Sequence, residues 1–336
     1  MRGISLEYFL KRLGIFLLTV WIAATLIYII PRIAPGDPIA AMIARMTQQA
    51  GYIENSDKII AGWRARFGLD DPWYIQYGRY LKNLVTFNFG YSLATFPTTV
   101  REIVLRALPW TLGLLSVSTV LFFLVGNFLG ALLAWKKTPR VVKWLIPVTM
   151  VFTSVPSLLA ALMLLYVFAF QLDWFPSLGA YGRGISPGLN WIFVRSVLWH
   201  GILPVMSIVV VTFGFWTLGM RGMMITVQGE DYITLAQAKG LNPFYTLYRY
   251  MIRNSILPQI TALALTLGTL VGGQVLVEYI FTYPGMGNVI FTAIRNQDYP
   301  VIQGASYFLI LTTALAVFIM DMIYPLIDPR ISHERS

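Results

Sequence analysis

Few side chains in this 336-residue sequence could do covalent or acid–base chemistry. Only His200 and His333 offer imidazole, and there is no cysteine, so thiolate nucleophiles, thiolate metal sites and disulfides have no residues to form them. No HExxH, GxSxG or GxxxxGK[ST] pattern occurs, so zinc hydrolysis, a serine triad and a phosphate-cradling loop all lack their parts. The chain is therefore read as not an enzyme, with no catalytic residue, metal site or cofactor of its own. Any ATP hydrolysis it depends on belongs to another chain. What remains is three charges within apolar runs, Arg221, Glu278 and Asp321. Charges at membrane depth are costly and mark ion or proton pathways. Here each lies near the end of its run, which favours structural hydrogen bonding or ion pairing and, for Arg221, snorkelling to the surface.

Those apolar runs define the class of protein. Hydrophobic residues make up 57% of the chain and charged residues 12%, against about a quarter charged in ordinary soluble domains. A helix needs about 20 apolar residues to cross the hydrocarbon. Six stretches qualify, namely Phe9–Ile30, Ala107–Trp135, Trp144–Phe170, Ile202–Ile225, Ile256–Phe281 and Gly304–Ile327. The expected fold is all-α and polytopic, with six transmembrane helices. Residues 1–30 form an N-terminal span, retained because its apolar run is too long for a signal peptide and lacks a small-x-small cleavage site. Residues 31–106 form one long external segment, and 107–336 a five-helix core with a cytoplasmic loop at about 226–255.

Orientation follows from the short loops. Lys136, Lys137, Arg140, Lys143, Lys239, Arg249 and Arg253 all fall on the side of the termini, whereas the opposite short loops hold only Arg183, Arg195 and Arg295. The positive-inside rule makes both termini cytoplasmic. The net charge of +10 is thus a matter of membrane orientation, since the basic residues are scattered among apolar spans and do not form a nucleic-acid-binding face. Trp110, Trp135, Trp144, Trp174 and Trp199 lie near span ends, as an interfacial aromatic belt requires. In the external segment, Tyr74, Tyr77, Tyr80, Leu81 and Leu84 form an apolar stripe after the "DDP" start signal and predict a short helix. Gly126 and Gly130, and again Gly268 and Gly272, have the small-x3-small spacing that lets helices approach closely. Pro156 and Pro204 are expected to kink or start spans three and four.

The most punctuated segment is "EDYITLAQAKGLNPFYTLYRYMIRNSILP", Glu230 to Pro258, between spans four and five. Tyr232, Leu235, Ala236 and Lys239 recur at helical spacing, and Gly240 supplies the left-handed residue that ends such a helix. Asn242-Pro243 reads as an N-cap followed by proline at the first helical position. Phe244, Leu247, Tyr248 and Met251 then repeat the spacing. The product is a helix, a sharp turn and a second, amphipathic helix facing the cytosol. Such a segment is either a solvated connector or a docking knob for another protein.

"DYITLAQAKG" followed by "NSILP" resembles the cytoplasmic EAA loop of ABC importer permeases, and the "AQAKGL" wording is similar to the oligopeptide and dipeptide branch. Thr234, Leu235 and Ala236 stand where the general pattern has Glu-Ala-Ala, so the last alanine and Gly240 are its matches. "APGDP" at Ala34–Pro38, "FGLDDPWYIQYGRYL" at Phe67–Leu81, "FNFGYS" at Phe87–Ser92, "YPGMGNVIFTAIRNQDYPVIQG" at Tyr283–Gly304 and "DPRI" at Asp328–Ile331 are similar to that branch in the same order.

The resemblance implies a multi-pass permease subunit in a bacterial or archaeal inner membrane. It would move a solute, in the first place peptides, delivered by an external solute-binding protein. It would pair with a second, homologous permease and with two cytoplasmic ATPase domains that bind ATP and magnesium. The coupling helix to those ATPases would comprise Asp231, Tyr232, Ala236, Ala238, Lys239, Gly240, Leu241, Asn242, Pro243 and Phe244.

Other readings stay open at this level. Relatives in the branch also carry nickel, glutathione or oligosaccharides. A stand-alone secondary transporter would use Glu278 or Asp321 as its ion site, and would be expected to show inverted repeats. A membrane sensor would bind its ligand in residues 31–106. The orientation is tested directly by fusion: a reporter active only outside the cytoplasm is expected to work after Ser177 and to fail after Lys137, and the opposite pattern at both sites overturns the assignment.

Overall fold

The computed structural model describes residues 6–33 and 71–327. The Ala34–Pro38 and Asp328–Ile331 motifs and His333 lie outside the described residues. Among the described residues the chain is helical, with α1 at Leu6–Ile33, α2 at Trp73–Val85, α3 at Val100–Ala134, α4 at Leu145–Thr153 and α5 at Ser157–Leu164. Then follow α6 at Trp191–Gln228, α7 at Asp231–Ala238, α8 at Pro243–Thr246, α9 at Arg253–Ile280, α10 at Met286–Arg295 and α11 at Tyr299–Ile327. Helix α5 continues as a π-helix over Leu165–Gln171, and α8 as another over Leu247–Ile252.

Four of these helices, α1, α3, α6 and α11, are long and apolar enough to cross a membrane. A fifth is reached if the bent pair Val142–Thr153 and Ser157–Gln171 counts as one span. The expected third span is therefore not a gently kinked helix. It is broken by 106°, and the chemistry lies at Pro156, which occupies the N-cap position of α5 with extended backbone (ψ 141°). Proline also biases the preceding residue, Val155, away from helical geometry. Pro204 differs in the other direction: it sits inside the 38-residue α6, which starts well before it. The hydroxyl of Ser207 donates to the Pro204 carbonyl at 2.7 Å. Helix α9 spans 28 residues and overlies the expected fifth stretch. The Gly268/Gly272 pair belongs to this helix, but those glycines lie outside the residues whose surroundings are described.

The described residues fall into two compact units. The first holds α1, α2, the start of α3 to Thr111, α10, and α11 to Phe318. Helix α2 is seated on α1 by the aromatic stripe read from the sequence. Tyr80 donates to the Ala24 carbonyl at 3.1 Å, Tyr77 shares a 2.7 Å hydrogen bond with Thr25, and the Arg32 guanidinium lies 3.5 Å from the Tyr28 ring centroid. A second tie is Asp298, buried just ahead of α11. Its carboxylate accepts from the Ser92 hydroxyl and from the backbone N–H groups of Leu93, Ala94 and Val301. One side chain thereby caps a helix and holds a remote loop.

The second unit holds α3 from Leu112, α4 to α9, and the turns between them up to Tyr283. Its organising contact is between α3 and α6. A Cβ added at Gly126 would lie 2.5 Å from Trp216 Cβ, and one at Gly130 would lie 2.7 Å from Met220 Cβ. Only glycine permits that approach. In lipid there is no hydrophobic drive between helices, so close packing of this kind supplies the association. Phe122 stacks on Trp216 with centroids 6.0 Å apart. On another face of α6, Gly214 receives the Thr149 carbonyl of α4, 2.6 Å from where a Cβ would stand.

This packing makes a differential prediction. Gly130→Ala is expected to destabilise the purified chain by about 1–3 kcal/mol through overpacking. Gly113→Ala, with nothing within 4 Å of the added Cβ, should leave the thermal midpoint unchanged. Equal midpoints for the two variants would contradict the close approach of α3 and α6.

Candidate coupling site

The loop between α6 and α9 is built from the residues that its sequence pattern singled out. After α7, Gly240 adopts φ +73°. Its N–H bonds the Gln237 carbonyl at 2.9 Å, and the Leu241 N–H bonds the Ala236 carbonyl at 3.2 Å. This 5→2 and 6→1 pair is a Schellman motif, which satisfies carbonyls at the helix end and needs a left-handed residue at the glycine. Asn242 follows as a true cap: its side-chain oxygen accepts from the Phe244 N–H at 2.9 Å, with Pro243 at the first position of α8. A helix, a locked turn and a second helix thus occupy Asp231–Ile252 without an unsupported segment.

The orientation of α7 departs from the stripe expected from spacing. Ala236 is only 4% exposed, and with Ile233 it packs inward. Ile233 joins Ala131 of α3, Met220, Met224 and Val227 of α6, and Met251 in one buried cluster. Leu235, 56% exposed, and Tyr232 face outward instead, with Lys239 also exposed. The reason is tertiary. Ile233 meets residues of α3 and α6 and is buried, whereas its isomer Leu235 points away from them. On the second helix Phe244, Tyr245 and Tyr248 are outward, Tyr248 at 73% exposed. Asp231, Ala238, Asn242 and Pro243 are exposed and Leu241 is half-buried.

Partial burial, and after it the Glu230 carboxylate, push the Tyr232 phenol above its ordinary range, against the pull of a side-chain hydrogen bond with Asn254.

Two further anchors hold the loop to the end of α3. The Gln228 side-chain amide donates to the Ala134 carbonyl at 2.9 Å, and the rings of Trp135 and Phe244 stand 4.8 Å apart. Spacing alone missed both Ile233 and this aromatic pair. The signal for Ile233 was its place one residue from the outward stripe, whereas nothing local links Trp135 to Phe244.

The three apolar-run charges lie on three different helices, α6, α9 and α11. Arg221 lies seven residues before the end of α6, partly buried beside Gly130, with its Nε enclosed and without a hydrogen-bond partner among the described residues. Glu278 is fully buried two residues before the end of α9. Because the loop joins the end of α6 to the start of α9, Arg221 and Glu278 belong to opposite ends of the bundle. Burial, followed by the Glu278 carboxylate, pushes the Tyr283 phenol up to about 12. Asp321 is partly exposed in the last turns of α11. Among the described residues, no group of three or more His, Asp or Glu side chains could hold a metal ion.

Long apolar helices joined by a rigidly capped helix–turn–helix define a polytopic α-helical membrane protein with a presentation surface on one connecting loop. Comparison with known proteins narrows this class. Residues 126–333 match the family described as the binding-protein-dependent transport system inner membrane component. The chain is 32% identical over 97% of its length to the probable peptide ABC transporter permease of Sinorhizobium fredii, covering 99% of that protein. It is likewise 32% identical to the oligopeptide transport system permease AppB of Bacillus subtilis, over 91% of this chain and 93% of the relative. The glutathione transport system permease GsiC of Salmonella paratyphi A is 30% identical over 98% of the chain and all of the relative. The chain belongs to the binding-protein-dependent inner-membrane permease family and is a translocation component of a multi-component ABC transporter.

The inward setting of Ala236 changes what its substitution tests. Ala236→Glu puts a carboxylate at a buried position and is expected to lower stability by about 2 kcal/mol or more, read as a fall in the thermal midpoint in detergent. Leu235→Glu, one residue away and exposed, should leave that midpoint within error, and a comparable fall for both would show that the outward face is mis-assigned.

Proposed function

We propose that this chain is the peptide-translocating permease subunit of an ABC importer. It crosses the membrane six times with both termini in the cytoplasm, residues 31–106 outside and residues 107–336 as the translocating core. In this reading α9 and the broken pair α4–α5 are the two spans added to the four long apolar helices. The charge asymmetry of the short loops supports the orientation. The similarity to permeases named for peptides, oligopeptides and glutathione supports a short peptide as solute.

The loop Asp231–Ile252 is the contact with two cytoplasmic ATPase domains, which bind the ATP and magnesium. A second, homologous permease and an external binding protein complete the complex. The observation behind this assignment is the division of the loop into two faces. Ile233 and Met251 are buried against α3 and α6 and Ala236 is buried as well, while Leu235, Phe244, Tyr245 and Tyr248 stand outward. A solvated connector has no need to expose four large apolar side chains on a rigid support, whereas a knob for a groove on another protein does.

The mechanism follows from the supports. Closure of the ATPases on ATP displaces the knob, and since the loop joins α6 directly to α9, the displacement is delivered to both helices. Packed helices are bistable and not continuously deformable, so the motion emerges as a switch between outward and inward opening. Glu278, Asp321 and Arg221 serve structure in this scheme. Energy enters through the loop, and no proton or ion site is required.

Gly240→Val tests the loop without a steric confound, since a Cβ there meets nothing within 4 Å. The substitution forces a β-branched residue to hold a positive φ, at a cost of about 1–2 kcal/mol, and tilts one helix of the knob. The expected result is a well-expressed chain that loses co-purifying ATPase subunits and ATP-dependent uptake of labelled alanine oligopeptides. Wild-type ATPase recovery together with wild-type uptake would make the loop a connector.

A further inference from the structure

The Gly240 turn that shapes the knob is also its weakest joint. Both flanking helices are short, eight residues in α7 and four in α8 before the π-helical continuation. A load applied to the outward face of α8 would fold the two helices about this turn before it reached the spans, unless α8 were supported from behind. Helix α7 has such support in Ile233, buried in the cluster with α3 and α6, and Ala236 of the same helix is also buried. On the α8 side, Thr246 is buried, and the large side chain Phe244 has its ring against Trp135, 4.8 Å between centroids at 57°.

Trp135 is well placed to take a load. It directly follows the last residue of α3, and its N–H bonds the Leu132 carbonyl. The next turn is pinned by the Thr138 hydroxyl, which also donates to the Leu132 carbonyl from a buried position. Helix α3 is in turn locked to α6 by the Gly126 and Gly130 contacts. The support therefore runs from Phe244 through Trp135 into a helix pair that cannot separate without losing its backbone contact. Phe244 remains 65% exposed, so one face of its ring is free for a partner while an edge leans on the indole.

We propose that Trp135 is a positioning residue for transport. Its indole braces Phe244 from behind, keeps the knob from folding about Gly240, and passes the displacement to α3 as well as to α9. The first cytoplasmic turn is thereby part of the transmission and not a passive link between spans. This inference rests on the reading of Asp231–Ile252 as the ATPase contact, and its test separates the two.

The absence of cysteine makes a single spin label at Tyr248→Cys, on the most exposed residue of the knob, free of background in this chain. In the assembled complex in nanodiscs, Trp135→Ala is expected to raise the mobility of that label while ATPase subunits still co-purify. Uptake of labelled alanine oligopeptides should fall about fivefold, the factor that an aromatic pair of this geometry is worth. Trp135→Phe, which keeps a ring in place, should restore most of both. Phe244→Leu removes the same pair from the other side and should reproduce the gain in label mobility, which covers the case of a poorly folding Trp135→Ala chain. Unchanged label mobility and uptake in Trp135→Ala, with ATPase loss still seen in Gly240→Val, would overturn the brace and leave the coupling loop standing. Retention of ATPases and uptake by Gly240→Val as well would overturn both.

Discussion

Backbone amides and carbonyls that enter hydrocarbon find no water, and each one left unsatisfied costs several kcal/mol. The architecture of this permease follows from that constraint. Where helices end, local groups stand in for the missing helical bonds: Thr138 closes the end of α3, and the Leu241 and Gly240 N–H groups close the end of α7. The sharpest break, the 106° bend before α5, falls at Pro156, a residue with no N–H to leave unpaired.

Once helices are imposed, something other than hydrophobicity must hold them together, because lipid tails are as apolar as leucine. In the second unit that role goes to glycines on α3 and α6, where backbone and Cβ atoms meet at distances no other residue allows. The same pair of helices also seats the loop between α6 and α9: Ile233 of α7 is buried with Ala131 of α3 and with Met220, Met224 and Val227 of α6, and Leu235 stays outward.

The family to which the chain belongs is the inner-membrane component of binding-protein-dependent transport. The loop between α6 and α9 is held to its surroundings by Ile233 in the buried cluster and by the Trp135–Phe244 contact. Glu278 and Arg221, placed towards opposite ends of the bundle, are separated by far more than a proton-relay distance, given about 1.5 Å of rise per helical residue.

Much of this was legible in the order of residues, because the features concerned are local. Apolar run length marks the four long helices α1, α3, α6 and α11, and Gly240, Asn242 and Pro243 dictate a turn and a cap through their own backbone chemistry. Of the α2 stripe, Tyr77, Tyr80, Leu81 and Leu84 pack on α1 or its neighbours, whereas Tyr74 at its start is exposed. What the residue order left undecided is whatever depends on a neighbour distant in the chain. Spacing put Ala236 and Leu235 on one stripe, and tertiary packing turned the first inward and left the second outward. Pro156 and Pro204 look alike as letters, yet one starts a new helix after a sharp bend and the other lies within a continuous one. The Trp135–Phe244 pair joins residues more than a hundred positions apart, so no period or motif could have contained it; a contact of that kind exists only once the helices have been brought together.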